Sequence, residues 1–92
     1  MLCWDNVKRQ KTLNERGLDF ADAHLAFNSF KLNQVDDRVD YGETRYVLTG
    51  TVNGEIVIIV WTERIDTRRI ISMRKANAKE IARYKTALDR SR

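Results

Sequence analysis

Two β-forming segments are joined by Asn53-Gly54, and this junction limits what the chain can fold into. A two-residue type I′ turn needs a positive φ at both central positions, which Asn and Gly adopt at low energetic cost. The pattern predicts an antiparallel hairpin between strands over 44–52 and 56–61. The second strand is apolar without alternation, which is typical of a central strand covered on both faces.

The remaining pattern predicts three helices and three further strands. Asp5 and Asp19 are placed to cap two early helices, and Asn77 with Glu80 forms a capping box for the last helix. Further strands are predicted over 2–4, 30–35 and 68–74. We therefore expect one α+β domain over 1–92, in the order β-α-α-β-β-β-β-α. Its small antiparallel sheet comprises the last four strands, with helices packed mainly on one face.

Charge is distributed unevenly along the chain. Residues 64–92 carry ten Lys/Arg and three Asp/Glu, a net charge of +7, whereas residues 1–63 carry seven and ten, a net charge of −3. One end of the molecule should therefore attract a polyanion such as nucleic acid, or an acidic partner protein.

The predicted final strand offers a candidate phosphate-binding surface. If it alternates regularly, one face carries Arg68, Ile70, Ser72 and Arg74. Arg45 and Arg64 would join this face if the strands align, and grouped guanidiniums can grip phosphate oxygens and stabilise developing charge. The alternative is that these arginines form surface ion pairs with glutamates at three positions: Glu43, Glu55 and Glu63.

The last helix carries a basic face opposite its apolar stripe. The members of this face follow helical spacing: Lys79, Arg83, Thr86 and Arg90. Such a face could attract RNA or an acidic antagonist, or it could be an ordinary solvated surface.

No feature of the sequence indicates a metal, a cofactor or a membrane segment. His24 and Cys3 are the only residues of their types, and neither has neighbours at metal-ligand spacing. No apolar run is long enough to cross a bilayer or has the form of a leader sequence. We therefore expect a cytoplasmic protein with no cofactor.

A series of short motifs runs along most of the chain. The motifs are Trp4-Asp5-x-x-Lys8, Asn14-x-x-Gly17-Leu18-Asp19-Phe20-Ala21-Asp22-Ala23, Gly42-Glu43-x-Arg45, and Arg69-Ile70-Ile71-Ser72-x-Arg74-Lys75-Ala76 with Glu80 and Tyr84. In this order they resemble the BrnT family of type II toxins. The resemblance implies a RelE-like fold, RNA cleavage that arrests translation, and neutralisation by a BrnA-type ribbon-helix-helix antitoxin. Operator DNA would be contacted only indirectly, through that antitoxin.

RNA cleavage on such a fold would use the 2′-hydroxyl of the substrate as nucleophile, without a metal ion. The expected catalytic residues are Arg64 and Arg74 for charge stabilisation, Lys8 as proton donor or phosphate ligand, and Glu43 as base. The expected RNA-binding residues are Arg45, Arg16, Arg68, Lys75, Lys79 and Arg83. Alternatively, Lys8 is an exposed helix lysine and Glu43 a loop carboxylate paired with Arg45.

One position departs from the family pattern, which usually reads Lys-His-Gly before the second helix. This chain has Glu15-Arg16-Gly17 there. Arg16 can hold phosphate but cannot exchange a proton near neutral pH, as a histidine can. The departure leaves open a non-catalytic or weakly active homologue that acts mainly as an antitoxin-binding partner in an autorepressor complex.

Overall fold

The structure, a computed structural model, describes residues 1–38 and 40–92, so that Val39 lies outside the described residues. Its elements are β1 Leu2–Trp4, α1 Asn6–Arg16, a 3₁₀ turn Phe20–Asp22, α2 Ala23–Phe27, β2 Leu32–Asp36, β3 Arg45–Val52, β4 Glu55–Arg64, β5 Thr67–Lys75 and α3 Ala78–Arg90. The predicted α+β fold and element order are confirmed. No helix in the described part is both long and apolar enough to cross a membrane.

The hairpin predicted at Asn53-Gly54 is present. Asn53 and Gly54 have φ values of 50° and 83°, the positive values that a type I′ turn requires. The turn aligns β3 with β4, so that Tyr46 lies opposite Trp61. As predicted, β4 is central, with β3 on one side and β5 on the other.

All the strands belong to one sheet, in the order β1-β5-β4-β3-β2. The last four strands pair antiparallel, as predicted, and β1 adds a short parallel edge along β5 that ends at Ile70. Beyond Ile70, β5 runs beside α1. There the Arg16 guanidinium donates a hydrogen bond of 2.9 Å to the Met73 carbonyl oxygen.

The main hydrophobic core lies on the sheet face that carries Leu48 and Ile59, here called the front face. Val47 and Val60 mark the opposite face, here called the back face. The 3₁₀ turn and α2 cover the front face with three buried side chains: Phe20, Ala23 and Phe27. The 3₁₀ turn and α2 therefore pack on the front face, which holds the main core, whereas α3 packs on the back face.

One residue is inserted in β5 relative to β4. Trp61 lies opposite Ile70, whereas the preceding residue Val60 lies opposite Ser72. Ile71 is therefore an extra residue between paired positions, a β-bulge.

The bulge reverses the alternation of side chains along β5. Arg68 and Ile70 point to the front face, where Met73 is also buried, whereas Ser72 and Arg74 point to the back face. The prediction that Arg68, Ile70, Ser72 and Arg74 share one face is therefore wrong, because it assumed regular alternation.

α2 approaches β3 closely at Gly50. A Cβ atom on Gly50 would lie 3.0 Å from the carbonyl oxygen of Ala26 and 3.1 Å from its Cβ. A side chain at this position would push the helix away from the sheet, so the glycine sets how closely the two layers pack.

α3 lies against the back face and begins with the predicted capping box. The Asn77 side chain accepts from the Glu80 N–H, and the Glu80 carboxylate accepts from the Asn77 N–H. Further along the helix, Arg83 donates to Gln34 Oε1 at 2.9 Å. The buried Tyr84 hydroxyl donates to the Phe30 carbonyl oxygen at 2.6 Å. These contacts fix the helix to β2 and the segment before it.

Replacing Gly50 tests the close approach of α2. Gly50→Val should lower the free energy of unfolding by about 1–3 kcal/mol, the usual loss for overpacking a core. This loss is expected although valine forms strands better than glycine. Urea unfolding measures it, and Thr51→Val, on the other face of the same strand, is the matched control. A Gly50→Val variant as stable as the wild type would contradict the packing described.

Glu80 should make the stability of the fold depend on pH. Hydrogen bonds from Arg74, its largest influence, lower the pKa of Glu80 to about 2 from 4.5. The carboxylate therefore stabilises the fold above its unfolded pKa, and this contribution is lost as the pH falls from about 4.5 towards 2. We expect about 1 kcal/mol, because the pair is partly screened by solvent.

The measurement is the difference in unfolding free energy between the wild type and Glu80→Gln, taken by urea unfolding at neutral and acidic pH. The difference should shrink as the pH falls. Glu63→Gln, at an exposed position on β4, is the control for loss of a charge. A difference that stayed constant over this range would show that the Arg74 pair contributes nothing.

Candidate functional site

A cleft of about 380 Å³ opens on the back face beside α3. Its floor is formed by side chains of the three central strands: Val47, Ile58, Val60 and Ser72. Residues 34–38 form one wall, and Arg74 with Glu80 forms the other. Polar groups around a largely apolar floor are typical of a binding site.

Arg74 is fixed on its wall by Glu80. Nη1 and Nη2 each donate to one carboxylate oxygen at 2.8 Å, a bidentate arrangement that orients the planar guanidinium. These hydrogen bonds are the largest influence on Arg74 and raise its pKa, so it stays charged. The Arg74 side chain is 45% exposed, which leaves it accessible from the cleft.

A second hollow of about 280 Å³ adjoins the cleft, and Ser72 lines both. α1 supplies most of its side chains: Lys8, Lys11, Thr12, Glu15 and Arg16. Arg16 is tied to the carbonyl of Met73, the residue before Arg74. Three of the predicted site residues, Arg74, Lys8 and Arg16, therefore lie around Ser72.

Glu43, Arg45 and Arg64 form a separate charged group. The Glu43 carboxylate lies 3.0 Å from Arg64 Nη1 and 3.3 Å from Arg45 Nε. The Arg45 guanidinium also lies over the Tyr41 ring, 4.0 Å from its centroid. Burial acts to raise the pKa of Glu43, but hydrogen bonds from both arginines outweigh it and the pKa is lowered. Lowering the pKa of a carboxylate makes it a weaker proton acceptor.

The structure separates Arg64 from Arg74. Arg64 lies at the end of β4, opposite Thr67, whereas Arg74 lies opposite Ile58. Six residues of strand between positions 58 and 64 correspond to about 20 Å. The two arginines therefore cannot hold the same phosphate.

The other predicted RNA-binding residues are spread over the surface. The Arg68 guanidinium lies on the front side, 4.5 Å from the centroid of the Phe27 ring. Lys75 Nζ lies 3.5 Å from Glu55, at the hairpin end of the sheet. On α3, Lys79 is exposed and Arg83 contacts Gln34. Of these residues, Arg83 is the one bonded to a residue of the cleft wall.

The cleft also contains a pair that the sequence analysis missed. Asp36, at the end of β2, is buried and accepts two hydrogen bonds from the Arg38 side chain. The sequence shows these residues as Asp36-Asp37-Arg38, among several charged positions. Nothing in the periodicity distinguishes the buried carboxylate, because its burial depends on pairing with β3.

Neither His24 nor Cys3 lies in the cleft. His24 is exposed on α2, and Cys3 is a half-buried free thiol on β1. Within residues 1–38 and 40–92, no group of three or more His, Cys, Asp or Glu side chains is arranged to hold a metal ion.

Comparison with known proteins assigns the chain to a family. A family model described as "Ribonuclease toxin, BrnT, of type II toxin-antitoxin system" matches residues 4–80. A search of curated proteins finds no match. The matched span runs from the end of β1 to the first turn of α3, and so includes the cleft floor and both of its walls. The chain therefore belongs to the BrnT family of ribonuclease toxins of type II toxin-antitoxin systems.

Proposed function

We propose that this toxin cleaves RNA at the back-face cleft, with the 2′-hydroxyl of the substrate as nucleophile and without a metal ion. The observation that carries the proposal is Arg74, accessible from the cleft, held in bidentate fashion by Glu80 and placed beside Ser72. The α1 cations Lys8, Lys11 and Arg16 lie on the other side of Ser72. Such a site can bind a phosphodiester and stabilise the charge that its transition state gains. Because translation takes place in the cytoplasm, a toxin that arrests it would act there.

In this reaction the 2′-oxygen attacks the adjacent phosphorus, and the 5′-oxygen of the next nucleotide leaves. The attacking oxygen loses a proton, the leaving oxygen gains one, and the products carry a 2′,3′-cyclic phosphate and a 5′-hydroxyl. We assign Arg74 to charge stabilisation, Lys8 to phosphate binding or proton donation, and Arg16 to phosphate binding. Their placement around Ser72 supports these roles.

The group of Glu43, Arg45 and Arg64 offers another placement for the same chemistry. Its two guanidiniums could hold a phosphate, with Glu43 as the proton acceptor. Glu43 is less suited to that role because its pKa is lowered. We therefore assign Arg45 and Arg64 to binding a flanking part of the RNA.

A type II toxin has a protein antitoxin, and we propose a BrnA-type ribbon-helix-helix protein for this chain. The basic residues exposed on α3 favour an acidic contact: Lys79, Arg83 and Arg90. Operator DNA would be contacted only through the antitoxin. The hydrogen bond from Arg16 to Met73 favours a second candidate, a weakly active chain that acts mainly in an autorepressor complex, because it gives Arg16 a structural role.

Arg74→Ala should reduce the rate of RNA cleavage by ~10²–10³-fold, the usual loss on removing one charge-stabilising donor. Arg74→Lys should recover only part of the rate, since lysine cannot form the bidentate pair with Glu80. Rates are measured on purified RNA by gel electrophoresis, with circular dichroism melting of each variant. EDTA should leave the wild-type rate unchanged.

Arg90→Ala is the matched control, because it removes the same charge ten residues beyond Glu80, or about 15 Å along α3. Arg64→Ala distinguishes the two placements of the chemistry. A greater loss in Arg64→Ala than in Arg74→Ala would move the scissile phosphate to the Glu43 group. Wild-type cleavage by a folded Arg74→Ala protein would rule out the cleft as proposed.

Arg16→His should raise the cleavage rate and add a pH dependence with a midpoint near ~6.5, the unperturbed histidine value. The reason is that histidine can exchange a proton near neutral pH whereas arginine cannot. Arg16→Lys is the control, since it keeps the charge without titrating in this range. If rate and pH profile are unchanged in Arg16→His, position 16 has no acid-base role.

A further inference from the structure

Arg38 lies on the cleft wall opposite Arg74 and has no role in the function proposed above. Its Nε and Nη2 donate to the two carboxylate oxygens of Asp36 at 2.8 Å and 2.9 Å. The Asp36 side chain is 1% exposed, whereas the Arg38 side chain is 72% exposed. A buried carboxylate thus orients an exposed guanidinium at the mouth of the cleft.

The two walls of the cleft have the same construction. On each wall a carboxylate accepts a bidentate pair of hydrogen bonds from an arginine that faces the opening: Asp36 with Arg38, and Glu80 with Arg74. A guanidinium has five N–H donors, so each arginine keeps donors for a further acceptor. Bidentate pairing also restricts the side chain, which lowers the entropy lost when a ligand binds.

The arginines on the two walls influence each other electrostatically. The charge of Arg38 acts to lower the pKa of Arg74, against the larger effect of the Glu80 hydrogen bonds, which raises it. Like charges facing one cleft repel, and an anion between them would relieve that repulsion. A phosphate group is an anion with oxygens that match guanidinium geometry.

We propose that Arg38 and Arg74 form a clamp for one phosphodiester group of single-stranded RNA, with Asp36 as the positioning residue for Arg38. The clamp rests on the function proposed above, because it places a second phosphate ligand in the same cleft. It makes the wall from β2, and not only the β5 side, part of the RNA site.

The test is a double-mutant cycle on binding of a 2′-O-methyl RNA oligonucleotide, which lacks the nucleophile and cannot be cleaved. Arg38→Ala and Arg74→Ala should each weaken binding by on the order of 10-fold. Each should also reduce the slope of log affinity against log salt by ~0.7. The double variant should lose much less than the product of the single losses, since both arginines bind one phosphate. Lys85→Ala, which removes an exposed positive charge outside the cleft lining, is the control.

If the affinity lost in the double variant equals the product of the two single losses, the arginines bind separate phosphates. That result would overturn the clamp. Unchanged affinity in Arg38→Ala would overturn it as well. The proposed function fails separately: a wild-type protein that binds the 2′-O-methyl RNA but does not cleave unmodified RNA would refute cleavage and leave the clamp standing.

Asp36→Asn distinguishes a positioning role of Asp36 from the effect of its charge, because the two predict opposite changes in RNA affinity. Charge alone predicts that Asp36→Asn tightens RNA binding, because a negative charge is removed. Positioning predicts weaker binding, by about threefold or more, because Arg38 loses its charged anchor. Asp37→Asn, at the exposed neighbour, makes the same charge change and should not weaken binding. Tighter binding in Asp36→Asn would exclude the positioning role.

Asp36→Asn cannot be tested if it fails to fold, which the loss of its circular dichroism melting transition would show. In that case Arg38→Lys provides a second test. It keeps the charge at position 38 but removes the bidentate geometry, so binding should weaken by about threefold or more while the fold is retained. Affinity equal to the wild type in Arg38→Lys would show that charge alone acts at this position, and would exclude positioning by Asp36.

Discussion

The extra residue in β5 determines which side chains form the core and which form the cleft. β5 stays paired to β4 on both sides of Ile71, so the insertion exchanges the faces of the residues that follow it. Met73 is thereby buried in the front core, and Arg74 is placed on the back face beside Ser72. With regular alternation, Arg74 would point to the front face and Met73 to the back. A bulge commonly re-aims a side chain in this way.

Each arginine of the cleft, and each arginine of the Glu43 group, is oriented by a carboxylate. Residues 1–63 have a net charge of −3 and residues 64–92 a net charge of +7, yet the fold brings Glu43 to Arg64 across that division. Exposed ion pairs of this kind add little to stability. Their larger effect is to hold the guanidiniums in fixed positions, which would reduce the ordering needed for phosphate to bind in the proposed site.

The features predicted correctly from sequence are those that depend on neighbouring residues. The Asn53-Gly54 turn and the Asn77–Glu80 capping box each follow from the chemistry of a few adjacent positions, and both are present. The separation of Arg64 from Arg74 depends on strand register, which the sequence pattern left open. The burial of Asp36 depends on pairing between β2 and β3, and local periodicity carries no information about it.

The described residues of the cleft are better suited to stabilising charge than to exchanging protons. The pKa of Asp36 is lowered chiefly by hydrogen bonds from Arg38, and that of Glu80 is lowered to about 2 chiefly by those from Arg74. Both carboxylates are therefore ionised and weakly basic near neutral pH, while the guanidiniums keep their protons. General acid-base catalysis typically contributes 10²–10⁴-fold to a rate. A ribonuclease built on this cleft would therefore depend mainly on aligning the 2′-hydroxyl and neutralising the phosphate, with its proton transfers falling to Lys8, water or the substrate.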